Sequence, residues 1–283
     1  MAIKTVGVVG CGLMGGGITE VCARSGYTVR VREVNQQLLD KGLANIKASM
    51  DRAVERGRLP APDRDKALAQ VHGTTRLEDF TDCDLVIEAV IENPDEKKKV
   101  FTVLDKTCPP TAILASNTST ICIMEIASAT KRPDKVIGIH FFNPAPIMKL
   151  VEVTRTLASS AEVVAQGRAF SESLGKTVVM CKDTPGFIVN RLLVPYLNDA
   201  IRLLEAEVAT KEDIDTAMEL GLNHPMGPFR LLDLVGLDTQ YYISLSQFEE
   251  FREPRFAPPP LLKRMVLAGR LGRKVGKGFY DYK

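Results

Sequence analysis

Apolar and polar positions follow two rhythms along this chain, and the change between them falls near residue 184. Before it, short β-rich or continuously apolar runs alternate with helical patterns, the order expected of a parallel sheet wound with helices. Thr5-Val6-Gly7-Val8-Val9 is the first such run and Thr28-Val29-Arg30-Val31 the second, with a helical pattern between them that ends at Ser25 and Gly26. Residues 84–90 read as a buried parallel strand, nearly continuous in apolar side chains. Residues 112–115, 135–139, 151–153 and 177–180 read as further strands. Residues 36–56 read as one long polar helix with Leu38, Leu39, Leu43, Ile46, Met50, Ala53 and Val54 on its inner stripe. Lys47, Arg52, Arg56 and Arg58 make a basic outer side that solvent alone would explain.

After Asp183-Thr184-Pro185-Gly186 the period is helical throughout. Helices are predicted over 187–209, 211–220, 228–251 with an interruption, and 259–268, with Pro195 kinking the first. Thr210 with Asp213 resembles a capping box, and Gly221 and Gly269 suit helix ends. Pro258-Pro259-Pro260 is read as a rigid turn. The boundary therefore falls at 184, giving an α/β unit over 1–184 and an all-α unit over 185–283, in line with a length that suggests about two domains.

The first apolar run leads directly into Gly10-Cys11-Gly12-Leu13-Met14-Gly15, and Glu33 ends the next strand 18 residues after Gly15. Strand, glycine turn, helix, strand and acid form the full setting of a dinucleotide fingerprint, which makes the first unit Rossmann-type with a mainly parallel sheet. Gly10 permits the tight turn, Gly12 lets the backbone of Cys11, Leu13 and Met14 approach a pyrophosphate, and Gly15 permits close helix–strand packing. Glu33 would accept ribose hydroxyls and repel a 2′-phosphate, so NAD is expected rather than NADP. Arg30 and Arg32 beside it are the features that would suit NADP.

Composition adds mainly exclusions. A hydrophobic fraction of 45%, a charged fraction of 25% and a net charge of +2 describe a soluble globular protein without the dense basic patch of a nucleic-acid binder. The Glu96-Lys97-Lys98-Lys99 tract is read as a solvated helix face. No apolar run approaches the ~18 residues of a membrane span, and no signal-peptide pattern precedes the first strand. Six cysteines without paired or CxxC spacing suit a reduced, cytoplasmic chain with neither disulfides nor a metal site.

Three polar groups at the ends of separate elements carry the candidate chemistry. Ser119, in Ser116-Asn117-Thr118-Ser119-Thr120, follows the strand at 113–115, and His140 follows the strand at 137–139. Open α/β sheets gather ligand groups at such strand ends. Glu152 stands twelve residues beyond His140 on what reads as the next strand. A histidine whose second nitrogen is held by a carboxylate is a general base of fixed tautomer. Asn190, beyond Pro185-Gly186-Phe187-Ile188-Val189, opens the helical unit. Taken singly, Ser119 and Asn190 are ordinary helix caps and His140 an ordinary core histidine; together, beside a dinucleotide site, they point to oxidation of an alcohol.

GCGLMGGGI, DLVIEAV, SNTST, HFFNPAPIMKLVEV, DTPGFIVNRLL, NHPMGP and LGRKVGKGFYDY span essentially the whole chain. Through them it resembles the L-3-hydroxyacyl-CoA dehydrogenase family, nearest to its short, single-function members that act on 3-hydroxybutyryl-CoA. The resemblance implies that His140 takes the proton from the 3-hydroxyl while hydride passes to nicotinamide, that Glu152 orients His140, and that Ser119 and Asn190 fix the reacting region. It places Asn143, Asn117, Glu92 and Lys97 on the cofactor side, and Ser49, Arg56 and Lys274 on the coenzyme A portion or the closing cleft. Two departures from the family pattern stand out: Glu33 replaces the usual aspartate, and Arg56 a lysine. Arg230 occupies a position where many relatives carry glutamate.

An acyl-CoA substrate, turned over reversibly with NAD, is thus the leading expectation. A free hydroxy acid or sugar acid is the alternative substrate class, and a non-catalytic dinucleotide-binding structural protein the alternative of another kind. Met226, Pro228, Phe229, Leu232 and Val235 serve equally as pocket wall or as core. Leu192, Leu193, Val194, Tyr196, Leu197, Ile201, Leu203 and Leu204 exceed what a small helical layer needs, so the helical unit is expected to form a homodimer, as the resemblance also implies.

Overall fold

The computed structural model describes residues 3–282, which divide into two compact units between Thr184 and Pro185. In the first, eight strands form one sheet: β1 (Thr5–Val9), β2 (Thr28–Arg32), β3 (Val71–Thr74), β4 (Leu85–Glu88), β5 (Ile113–Ser116), β6 (Val136–Phe141), β7 (Leu150–Arg155) and β8 (Thr177–Lys182). Their order is β3-β2-β1-β4-β5-β6-β7-β8. Only the β6–β7 pair is antiparallel. The helices of this unit are α1 (Leu13–Arg24), α2 (Gln36–Glu55), α3 (Ala61–Ala69), α4 (Pro94–Thr107), α5 (Ile123–Ala127) and α6 (Ala161–Ser173). The α/β class with a mainly parallel sheet is as the pattern predicted.

The inner strands are buried on both faces, which is why β4, β5 and β6 carry almost unbroken apolar runs. Val6, Val8, Ile87, Ala115, Ile137 and Ile139 share one core with Ile18 and Met50 from the covering helices. Asn35 starts α2 by accepting the N–H of Leu38, and Asn93 starts α4 by accepting those of Asp95 and Glu96. On α2, Leu39, Ile46 and Met50 are buried, but Leu38 is exposed, because the first turn runs past the edge of the core. Four elements were absent from the sequence reading: α3, α5, α6 and β3. β3 is Val71-His72-Gly73-Thr74 at the sheet edge, where neither alternation nor an apolar run is required.

The second unit consists of α7 (Val189–Glu205), α8 (Lys211–Gly221), α9 (Pro228–Val235), α10 (Leu237–Phe251) and α11 (Pro260–Leu267). Helix α7 continues through Pro195. Gly236, at φ 101°, makes the interruption between α9 and α10. Thr210 accepts the N–H of Asp213, while its hydroxyl donates to the Asp213 carboxylate at 2.7 Å, a variant of the expected box. Phe229 and Leu232 lie fully buried with Leu197, Ile201 and Leu262, so these two are core residues. Arg230 faces the Asp215 and Glu219 carboxylates at 3.9 and 3.5 Å. The C-terminal segment is fastened by Asp233, which accepts the N–H groups of Phe279 and Tyr280 at 2.8 Å and the hydroxyl of Tyr282 at 2.9 Å.

Candidate active site

The glycine loop follows β1 at the C-terminal edge of the sheet. Gly10 takes φ 99°, and a β-carbon there would sit 2.6 Å from the Ala89 carbonyl. A β-carbon on Gly15 would lie 1.9 Å from the carbonyl of Gly10, so only glycine lets α1 approach β1 this closely. Gly12, at the head of α1, opens onto free space, and Leu13 beside it is exposed. That leaves a backbone cradle at a helix N-terminus, the arrangement that receives a pyrophosphate. Glu33 falls one residue past β2. Its carboxylate accepts the Cys11 N–H at 2.7 Å and the Val34 N–H at 3.0 Å, so its charge is held against the loop where an adenosine ribose would lie. Arg30 is engaged bidentately by Asp82 at 2.7 Å, and Arg32 donates to the Thr75 carbonyl at 3.3 Å. Arg30 is thus committed to Asp82, and with the Glu33 carboxylate set against the loop the residues present fit NAD.

The second cluster forms where β6 meets β7. His140 lies within β6 rather than after it, because the strand runs two residues further than the sequence indicated. In the antiparallel pairing His140 stands directly opposite Glu152, so their side chains emerge side by side on one face. Nδ1 of His140 is 2.7 Å from Oε2 of Glu152, and both residues are buried. An ionised carboxylate only accepts, so Nδ1 carries the proton and Nε2 presents its lone pair. Nε2 lies 3.1 Å from Oγ of Ser119. Asn117 accepts the Phe141 N–H at 2.9 Å through its side-chain oxygen, tying the Ser119 loop to the end of β6.

A charged network underlies that loop, and one of its members escaped the sequence reading. Glu88, the last residue of β4, is fully buried. It accepts the Lys97 ammonium at 2.6 Å, the Val90 N–H at 2.7 Å and the Ser116 hydroxyl at 2.7 Å. Lys97 is 1% exposed, not part of a solvated face, and also lies 3.3 Å from the Glu92 carboxylate. Burial works to raise the Glu92 carboxyl pKa. The Lys97 charge and hydrogen bonds from Thr118, Thr120 and the Ser119 N–H outweigh it, so the net shift is downward. Breaking a buried ion pair such as Glu88–Lys97 from one side costs about 3–5 kcal/mol. The signal for Glu88 was present in the sequence as the one acid at the end of an otherwise apolar strand.

Ser49, Glu33, Gly12 and Asn143 line one groove of about 530 Å³ in the first unit, together with Arg52. Arg56 caps the C-terminus of α2, exposed to solvent. Asn190 is the second residue of α7 and half-buried. Lys274 meets both carboxylate oxygens of Asp238, at 2.7 and 2.6 Å. Burial pushes the thiols of Cys11, Cys22 and Cys108 up to about 12, which removes them as nucleophiles at neutral pH. Among the described residues no cluster of histidine, cysteine and acidic side chains could hold a metal ion, and no helix is long and apolar enough to cross a membrane.

Residues 5–184 match the family model of the 3-hydroxyacyl-CoA dehydrogenase NAD binding domain, and residues 186–282 that of the 3-hydroxyacyl-CoA dehydrogenase C-terminal domain. The chain is 53% identical over 283 residues to a 3-hydroxybutyryl-CoA dehydrogenase of Mycobacterium tuberculosis, covering 99% of each chain. It is similar to the crystal structure of FadB2 from M. tuberculosis, with a TM-score of 0.98 and 52% identity over 100% of both chains. It is also similar to that of an (S)-3-hydroxybutyryl-CoA dehydrogenase from Ralstonia eutropha, with a TM-score of 0.96 and 42% identity over 100% of both.

Proposed function

The chain belongs to the 3-hydroxyacyl-CoA dehydrogenase family, and from that membership we propose a reaction in which His140 is the general base and Glu152 its orienting partner. The activity is the reversible, NAD-dependent oxidation of an (S)-3-hydroxyacyl-CoA to the 3-ketoacyl-CoA. The supporting observation is the Glu152–His140–Ser119 line, buried at Glu152 and His140 and half-buried at Ser119, with contacts of 2.7 and 3.1 Å, an arrangement that suits a proton on Nδ1 and a lone pair on Nε2.

In the oxidative direction His140 Nε2 takes the proton of the 3-hydroxyl, and Glu152 stabilises the imidazolium that forms. Ser119 and Asn190 hydrogen-bond the reacting oxygen or the thioester region and hold the substrate in register. In the reverse direction the same imidazolium returns the proton to the ketone oxygen. NAD, when bound, supplies the hydride acceptor at its nicotinamide. The loop of Gly10, Cys11, Gly12, Leu13, Met14 and Gly15 would hold its pyrophosphate and Glu33 its adenosine ribose, with Asn117, Asn143, Glu92 and Lys97 on the nicotinamide side. Ser49, Arg56 and Lys274 would take the coenzyme A portion. Arginine in place of lysine at 56 keeps the charge and adds a fork that suits a phosphate.

A short acyl chain is the corresponding substrate proposal, with acetoacetyl-CoA the compound to reduce. NADH absorbance is expected to fall rapidly with acetoacetyl-CoA and to hold steady with free acetoacetate, while NADPH is used poorly. Equal rates with free acetoacetate would move the substrate class to free hydroxy acids. Silence with acyl thioesters of all lengths, despite NADH binding, would leave a non-catalytic dinucleotide protein.

The helical unit is proposed to pair with a second copy. Leu192 is 71%, Leu220 81%, Leu222 63% and Leu267 77% exposed, and a second copy would remove such side chains from water. Sedimentation at micromolar concentration is expected to give a dimer, and a sharp monomer boundary would overturn this. A cytoplasmic location is proposed with it, supported by six free thiols.

A further inference from the structure

We propose that Glu88 is a positioning residue for the reaction, setting the Ser119 loop against His140 through Ser116, Lys97 and Glu92. The inference rests on the reading that Ser119 acts on the reacting oxygen beside His140.

Four observations carry it. Glu88 and Ser116 are register partners on the parallel strands β4 and β5, so the 2.7 Å bond between their side chains ties the two strand ends together at the point where the Ser119 loop leaves the sheet. Oγ of Ser116 then accepts the Thr118 N–H at 3.2 Å, and the Asn117 N–H donates to the Glu88 carbonyl at 2.8 Å, so the loop's first turn is built on this pair. From the other oxygen, Glu88 holds Lys97, and Lys97 holds Glu92 at 3.3 Å. Glu92 in turn receives the loop: the N–H groups of Ser119 and Thr120, at 3.0 and 3.2 Å, and the hydroxyls of Thr118 and Thr120 all donate to one of its oxygens.

The energetics argue for placement over stability. Buried ion pairs are often no better for stability than apolar side chains of like volume, and the rest of β4 is Leu85, Val86 and Ile87. An apolar residue at 88 would satisfy the strand. A carboxylate there requires several donors, and the donors it recruits are those that define the loop. Fully satisfied buried polar networks rigidify the segments they join. Misplacement of a reacting group by about 1 Å costs on the order of a hundredfold in rate, so a loop position fixed from below is a catalytic requirement.

The test is a mutant cycle read by kcat, KM and melting temperature. Ser116→Ala deletes the hydroxyl link without unbalancing a charge, and Glu88→Gln keeps the shape while weakening the hold on Lys97. Ser119→Ala is the reference. Ser116→Ala is expected to lower kcat about tenfold with a modest fall in melting temperature from the Glu88 oxygen and Thr118 N–H left without it, and Glu88→Gln to lower kcat at least as much. In the Ser119→Ala background Ser116→Ala should lower kcat no further, because residues acting through a common group are not additive. Losses that multiply, or a Ser116→Ala enzyme with unaltered kcat, would overturn the proposal. Those outcomes are distinct from failure of the underlying reading, which would show as full activity in Ser119→Ala alone.

Discussion

Replacing His140 by alanine is expected to lower kcat about a hundredfold or more, the usual cost of deleting a positioned general base, while NADH binding followed by fluorescence changes little. The separation follows from the placement of the two sites. The glycine loop and Glu33 are built on β1, β2 and α1, whereas His140 stands on β6, three strands from β1 in the sheet. Nothing in the Gly10 turn or in the Cys11–Glu33 bond depends on the imidazole. His140→Ala also takes the imidazole away from the Glu152 carboxylate, and a lower melting temperature is expected to accompany the loss of rate. His140→Gln distinguishes the two effects: it keeps a donor near Glu152, so stability should recover in part, but an amide is no base and kcat should stay low. Near-normal kcat in either variant would remove His140 from the proposed role.

The parts of this site legible in the sequence share one property: their geometry follows from local chain order. The glycine fingerprint works because strand, turn and helix are consecutive, so the spacing alone specifies the backbone. The His140–Glu152 pair was legible for a related reason. Two strands joined by a short connection are adjacent in the sheet, and twelve residues suffice to return the chain antiparallel. Other features depend on tertiary contacts that no window contains. Lys97 sits in a run of charges whose pattern indicates solvent; its burial comes from Glu88 on a separate element nine residues earlier. Edge strand β3 has no periodic signal because only one side of it is paired. Leu38 fits the apolar stripe of α2 by period but lies beyond the end of the core, a boundary set by the extent of the sheet. Glu33 was legible as an acid at the right distance, but its bond to Cys11 required the loop to be seen folded.

Glu152→Gln is the more discriminating experiment, since it leaves size and hydrogen-bonding capacity nearly intact. The carboxylate accepts only, which forces the proton of His140 onto Nδ1; the amide can donate as well as accept, and half of its orientations favour the opposite tautomer with Nε2 protonated. A base presenting N–H where a lone pair is needed is inactive, and the same carboxylate-to-amide change costs about ten-thousandfold in a serine protease. Here a loss of about a hundredfold or more in kcat is expected, because the imidazolium also forfeits the charge 2.7 Å from Nδ1. A near-normal kcat in Glu152→Gln would mean that Glu152 supports the strand pair without acting on the imidazole.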